Sequence, residues 1–530
     1  MSNTPSQGTL LGHPKGLFLL FGTELWERFS YYAMRAILVL YLVDKVQGQG
    51  GNGLGWTEQD AISLYGTFTM LVYLTPLIGG WLADNHLGQR KSILIGGFLM
   101  AMGQFTLAMP HGWFPGQENA VFYTGLALLI CGNGMFKPNI STMVGDLYQE
   151  GDHRRDGAFT IFYMGINIGA FLSGILVASA YNSFGYTEMV NGQEVFVKNY
   201  QAGFAAAGVG MLLSLLIQLT FAKKLLGDIG TVPVAKLKAN QGQKDEGQTG
   251  PLTKVERDRI KVIFILGLFT IVFWAGFEQA GGLMNIYADK FTDRFVGAFE
   301  VPTAWFQSIN AFFIVIFAPV FASLWIKLGE KEPTSPVKFA LGLFLLGLGF
   351  LFMVGASLQI AGGDAKASLW WLVGAYLFHT LGELCLSPVG LSMVTKLAPV
   401  KLASLFMGLW FFFTGLANYV AGFVGSLIGV HGGGEEFMSA CTAKAITDAA
   451  ELAACVDAAK EAAMVDKSLS IFGGLVITGV VSAVVLYLMS DKLIDWMHGA
   501  EDAHPQTEEE ALDEEMDVIG SHEAMPESKS

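Results

Sequence analysis

Residues 24–35 read Glu24-Leu-Trp-Glu27-Arg28-Phe-Ser-Tyr31-Tyr32-Ala-Met-Arg35, inside a stretch, 16–43, that is otherwise apolar. A hydrocarbon core of ~30 Å needs roughly 20 such residues in a helix, so this stretch reads as a membrane span. Within it Glu24, Glu27, Arg28, Tyr31 and Arg35 follow i, i+3, i+4, i+7 and i+11, and therefore share one helix face. A charge at mid-bilayer costs on the order of 2.5–3.5 kcal/mol. A single polar stripe must then face protein or water. A buried ion-pair network that only packs the helix is one reading. Five polar groups are a costly way to do that, so a lined cavity is the better one.

Eleven further stretches meet the same length requirement: 59–83, 92–109, 120–144, 158–181 and 202–222, then 262–288, 304–326, 337–358, 368–397, 402–430 and 469–493. The expected fold is an all-α integral membrane protein of twelve helices in two six-helix bundles, 16–222 and 262–497. A polar linker, 223–261, joins them; 1–15 precedes them and 498–530 follows. This is the plan of many secondary transporters, with a site between the halves at mid-membrane. No cleavable signal peptide is expected, because the first apolar stretch is too long and carries charges. With 52% hydrophobic and 15% charged residues among 530, against ~25% charged in soluble domains, a soluble enzyme is excluded.

Of 32 Lys and Arg residues, 21 fall on the side of the termini, 8 on the opposite side and 3 (Arg28, Arg35, Lys137) inside spans. That bias places both termini in the cytoplasm. The net charge of −14 is mostly a tail: residues 501–530 carry eleven acids and one base. Such a segment is disordered by default, and a regulatory contact with the basic linker is the alternative. The long outer loop, 431–467, is Ala-rich and contains Cys441 and Cys455. In one straight helix these cysteines would stand about 21 Å apart, so a disulfide requires a hairpin; two free thiols are the other reading.

Other spans supply partners for the stripe. Lys137 precedes Pro138, which should kink its helix and free backbone carbonyls. Glu278 lies in the seventh span and Glu383 in the tenth, with His379 one turn earlier, placed for a proton relay or a hydrogen bond within the bundle. Three cations of the first half can thus face two anions of the second. Pairs across the halves would close one side of a cavity and break when a proton or ionic substrate competes. Arg35 and Lys137 suit a carboxylate, and Glu383 suits an ammonium. Tyr31, Tyr73, Tyr163, Asn167, Asn310, Trp274 and Trp410 offer hydrogen bonds and aromatic walls.

At these residues the chain resembles the proton-dependent oligopeptide transporters of the major facilitator superfamily. Glu24-x-x-Glu27-Arg28-Phe29-x-Tyr31-Tyr32 is similar to the family's first-helix motif, whose final Gly is Ala33 here. Phe162-Tyr163-x-x-x-Asn167-x-Gly169 resembles its fifth-helix signature. Gly79-Gly80…Asp84-x-x-Leu87-Gly88 resembles the superfamily loop after the second helix. Phe273-Trp274…Glu278-Gln279 and Gly382-Glu383…Ser387-Pro388 match the seventh and tenth helices. The resemblance implies proton-coupled symport of di- and tripeptides by alternating access, with no cofactor beyond the proton gradient and a monomeric functional unit in a bacterial inner membrane. It assigns proton coupling to Glu24, Glu27, Arg28 and Lys137. Peptide binding falls to Tyr31, Arg35, Tyr73, Lys137, Tyr163, Asn167, Trp274, Asn310, Glu383, Ser387 and Trp410. Gating falls to the pairs Arg35–Glu278 and Lys137–Glu383.

The linker is too short and polar for the two extra helices many bacterial relatives carry, hence twelve spans. A carrier of another anionic or amphipathic solute on the same fold is the alternative. No metal-ligand spacing, G-x-S-x-G or P-loop occurs, so neither an enzyme, a metal site, a nucleotide-driven pump nor a nucleic-acid partner is expected.

Overall fold

The computed structural model describes residues 8–149, 152, 154–236, 252–399, 402–429, 433–442 and 448–500. The acidic tail and the middle of the linker lie outside them. Fourteen α-helices are described. The first six are α1 Lys15–Val43, α2 Glu58–Leu82, α3 Gln89–Leu107, α4 Glu118–Gly145, α5 Arg154–Ser183 and α6 Tyr200–Leu226. The second set comprises α7 Lys254–Phe277, α8 Leu283–Lys290, α9 Phe306–Leu328, α10 Ser335–Ala361, α11 Leu369–Leu397, α12 Ala403–Ser426, α13 Gly433–Thr442 and α14 Ala449–Met497. Ten spans among the described residues are long and apolar enough to cross a membrane, one of them running from α7 through α8. Helix α1 fails that test through its own charges, and α3 is 19 residues long and starts Gln89-Arg90-Lys91.

The two sets repeat one packing plan. In the first, α1 packs on α5 and α6, α3 on α4 and α6, and α2 on α4. In the second, α7 packs on α12 and α14, α10 on α11 and α14, and α9 on α11. Between the sets, α2 lies against α12 and α5 against α9. These two seams exchange under the repeat. Strands are short and peripheral; the longest pair, Tyr186–Val190 with Gln193–Val197, is antiparallel with Tyr186 opposite Val197.

Helix limits refine the expected boundaries. A capping box, in which Thr253 and Glu256 satisfy each other's backbone N–H groups, starts α7 at Lys254, so the last part of the expected linker is helix. The seventh span is broken: a tight turn, Glu278–Ala280 with Gly281 and Gly282, separates α7 from α8. Tyr65 of α2 fills that turn; a β-carbon on Gly281 would lie 1.9 Å from its hydroxyl oxygen. Pro138 does not end α4, which continues to Gly145. Proline at 138 leaves the Gly134 carbonyl without its helical donor, and that oxygen abuts α2, where a β-carbon on Gly79 would meet it at 1.9 Å.

Helices α13 and α14 form the hairpin that a Cys441–Cys455 bond requires; the disulfide is present, with the Cα atoms 6.0 Å apart. Closing a loop of this length contributes about 3 kcal/mol in the chain-entropy account. Replacing both cysteines by serine is expected to lower the melting temperature of the purified protein while leaving reconstituted uptake intact. Lost uptake with an unchanged melting temperature would reverse that assignment.

Candidate functional site

All five members of the α1 stripe are buried: Glu24, Glu27, Arg28, Tyr31 and Arg35. The stripe faces protein, and it divides into two clusters about two turns apart. In the first, the Arg28 Nε lies 2.6 Å from Glu24 Oε1 and 3.0 Å from Glu27 Oε2. Two carboxylates thus share one guanidinium edge, leaving one negative charge in excess when both are ionised. The Asn133 amide of α4 donates to Glu27 Oε1 at 3.3 Å. Glu24 Oε2 is buried without a hydrogen-bond partner.

In the second cluster Arg35 pairs with Glu278 across the two halves. The Tyr65 hydroxyl donates to Glu278 Oε2 at 3.4 Å. The rings of Tyr65 and Tyr32 lie 5.6 and 5.9 Å from the guanidinium carbon. Glu278 reaches Arg35 from the break between α7 and α8. Beside this pair, on the side of the bundle away from the chain termini, further contacts join the halves. Glu58 pairs with Lys290 and Lys198 with Asp289. The Asn285 amide donates to the Ala36 carbonyl at 3.0 Å.

Deeper in the bundle the pieces stay separate. Lys137 lies over the Tyr73 ring, 4.2 Å from its centroid. Asn310 donates to Glu383 Oε2 at 2.8 Å and to Thr380 Oγ1 at 3.0 Å. The expected Lys137–Glu383 pair is not formed: each group is occupied within its own half, and no ion pair joins them. The physical reason is the place of closure, because the two halves meet tightly on the far side. Asn167 donates to the Tyr163 carbonyl at 3.0 Å, and the Tyr163 ring is among the exposed ones. Trp274 sits edge-on to Phe277 at 5.1 Å. Trp410 is buried over Gly390, and Ser387 is half-buried. His379 packs on the Phe350 ring at 4.5 Å and is buried, and it forms no hydrogen bond to Glu383.

Tyr65, Asn133 and Thr380 are partners that sequence reasoning missed. Thr380 adjoins His379 and lies three residues before Glu383, and that nearness in sequence was the available signal. Asn133 is also one turn before Lys137, on the same face. Among the described residues no group of three or more His, Cys, Asp or Glu is placed to hold a metal ion.

Two six-helix halves of matching plan, closed on one side and carrying buried opposite charges between them, define a multi-pass secondary carrier of the major facilitator type, not an enzyme. The chain belongs to the POT family, whose model matches residues 90–224 and 247–434. It is 36% identical over 479 residues to the peptide transporter YePEPT of Yersinia enterocolitica, covering 80% of this chain and 90% of that one. It is likewise 36% identical over 458 residues to a di-/tripeptide transporter of Lactococcus lactis, covering 77% and 88%. The crystal structure of a peptide transporter POT in complex with alafosfalin superposes with a TM-score of 0.76 at 34% identity, over 93% of this chain and 97% of that one.

Proposed function

We propose that this chain is a symporter that moves di- and tripeptides into the cell with protons by alternating access. The observation that carries the reading is the division of the α1 stripe into a proton-accepting cluster (Glu24, Glu27, Arg28) and a gating pair (Arg35–Glu278) on one rigid helix. Peptide transport is what the relatives above are named for, and alafosfalin is what the neighbouring structure holds.

In the proposed orientation the termini are cytoplasmic, the membrane is the bacterial inner membrane, and the closed far side is the outside. The conformation described is then closed outward. A peptide would span the gap between Lys137 and Glu383, with its carboxylate on Arg35 and Lys137 and its ammonium on Glu383, Asn310 and Asn167. Tyr31, Tyr73 and Tyr163 line the path, Trp274 and Trp410 shape side-chain pockets, and Ser387 adds a hydrogen bond. The open Lys137–Glu383 gap supports this assignment, since a zwitterion carries one charge opposite to Lys137 and one opposite to Glu383. No cofactor is needed beyond the proton gradient, and one chain suffices as the functional unit.

Labelled dialanine should accumulate in proteoliposomes only under an inward proton gradient, and unlabelled tripeptide should block it. Exclusion of dialanine from vesicles with a verified gradient and folded protein would turn the reading toward another anionic or amphipathic solute.

A further inference from the structure

We propose that Gly66, Gly422 and Gly174 are positioning residues of the transport cycle, because they let the two halves meet backbone on backbone and so set how stable the outward-closed state is. On α12, Gly408, Gly415 and Gly422 recur every seven residues and therefore form one stripe, which faces α2. At its outer end a β-carbon on Gly66 would lie 2.5 Å from the Gly422 Cα and 2.9 Å from the Asn418 carbonyl oxygen. The converse β-carbon on Gly422 would lie 2.6 Å from the Gly66 Cα.

Inward along the same stripe the spacing relaxes. At Gly415 the nearest atoms are Leu74 Cδ2 at 3.3 Å and the Met70 carbonyl oxygen at 3.4 Å, and at Gly408 only Leu77 Cδ2, at 3.3 Å. The α2–α12 seam is thus a wedge, tightest on the outside. The equivalent seam, α5 against α9 and the short turn Thr303–Trp305 that leads into it, is as close at Gly174. A β-carbon on Gly174 would lie 2.3 Å from the carbonyl oxygen of Ala304 in that turn and 2.5 Å from Ser308 Oγ of α9.

Backbone atoms cannot rotate away as the end of a side chain can. An added methyl is therefore accommodated only by parting the helices. Parting them at the outer end is the movement that opens the outside. The substitution penalises the closed state alone, and so shifts the population toward the open one. Calling this a step of transport rests on the symport reading; the seam itself does not.

The test separates the two. Cys131 and Cys385 are replaced by serine, leaving the Cys441–Cys455 bond, and Ile62→Cys is introduced as a reporter. Ile62 is buried in this seam, beside Gly282 and Gly425. In sealed vesicles a membrane-impermeant maleimide should label it about tenfold faster in Gly66→Ala, Gly422→Ala and Gly174→Ala, with gradient-driven dialanine uptake falling by about the same factor. Gly473→Ala, whose β-carbon meets nothing within 4 Å, should change neither. Labelling at the reference rate overturns the proposal, as does faster labelling with full uptake. Should an alanine variant fail to fold, the pair Leu74→Cys with Gly415→Cys gives the second measurement. Oxidative cross-linking should form and should stop both reporter labelling and uptake, and failure to cross-link counts against the seam. If the unsubstituted protein takes up no dialanine, the symport reading fails while the labelling result still reads the seam.

Discussion

Glu24→Gln and Glu27→Gln are expected to lower proton-driven accumulation of dialanine by at least about 100-fold while leaving counterflow exchange within about tenfold of the unsubstituted rate. The expectation comes from counting charges on one helix face. Arg28 Nε serves both carboxylates and Lys137 forms no direct ion pair with either, so a state with both ionised leaves two buried carboxylates to one ion-pair partner. Uncompensated charge of that kind costs ~3–5 kcal/mol, and a proton removes it. Glutamine keeps the size and one acceptor of the side chain but cannot take up and release the proton. The helix should still pack, and peptide should still exchange, because exchange requires no net proton movement. Uptake assays in proteoliposomes, with and without a gradient and with peptide preloaded for counterflow, read both quantities. Retained accumulation in one variant would assign the proton to the other glutamate. Retained accumulation in both would end the role proposed for the pair.

Much of this was legible because charge inside an apolar helix has few physical explanations. The twelve spans followed from length and hydropathy, and the α1 stripe from periodicity alone. The charges themselves say only that three cations of one half can face two anions of the other; the particular Arg35–Glu278 pair is what the family resemblance implies, and the structure forms it. What escaped the sequence depends on geometry that periodicity does not encode. The break after Phe277 falls where Tyr65 of another helix needs room, and no local residue pattern announces a neighbour's side chain. Pro138 lies within α4 and frees one carbonyl, at Gly134, and the sequence does not say that this atom lies against α2 at Gly79. Lys137 and Glu383 are both where the sequence placed them, but whether they pair depends on which side of the carrier is closed. A sequence states the members of a switch and leaves its position open.

Arg35→Ala is expected to reduce gradient-driven uptake by more than about 100-fold through two separable losses. The first is gating. In the outward-closed arrangement Glu278 is buried against Arg35 and the Tyr65 hydroxyl. Without the guanidinium, that state keeps a buried carboxylate at a cost of ~3–5 kcal/mol. Opening the outside would give Glu278 water, so the penalty falls on the closed state alone. Glu278→Gln imposes the mirror cost by stranding Arg35. Combining Arg35→Ala with Glu278→Gln removes both charges, and should return far-side labelling of an Ile62→Cys reporter toward the unsubstituted rate. The second loss is the proposed contact with the peptide carboxylate, which the double variant cannot restore. Dialanine affinity, measured by calorimetry on purified protein, should therefore stay low in the double variant while labelling recovers. Affinity that recovers together with labelling would make Arg35 a gate residue only. If labelling never changes in either single variant, closure is held by the other contacts on that side, Glu58–Lys290 and Lys198–Asp289, and by the glycine seams.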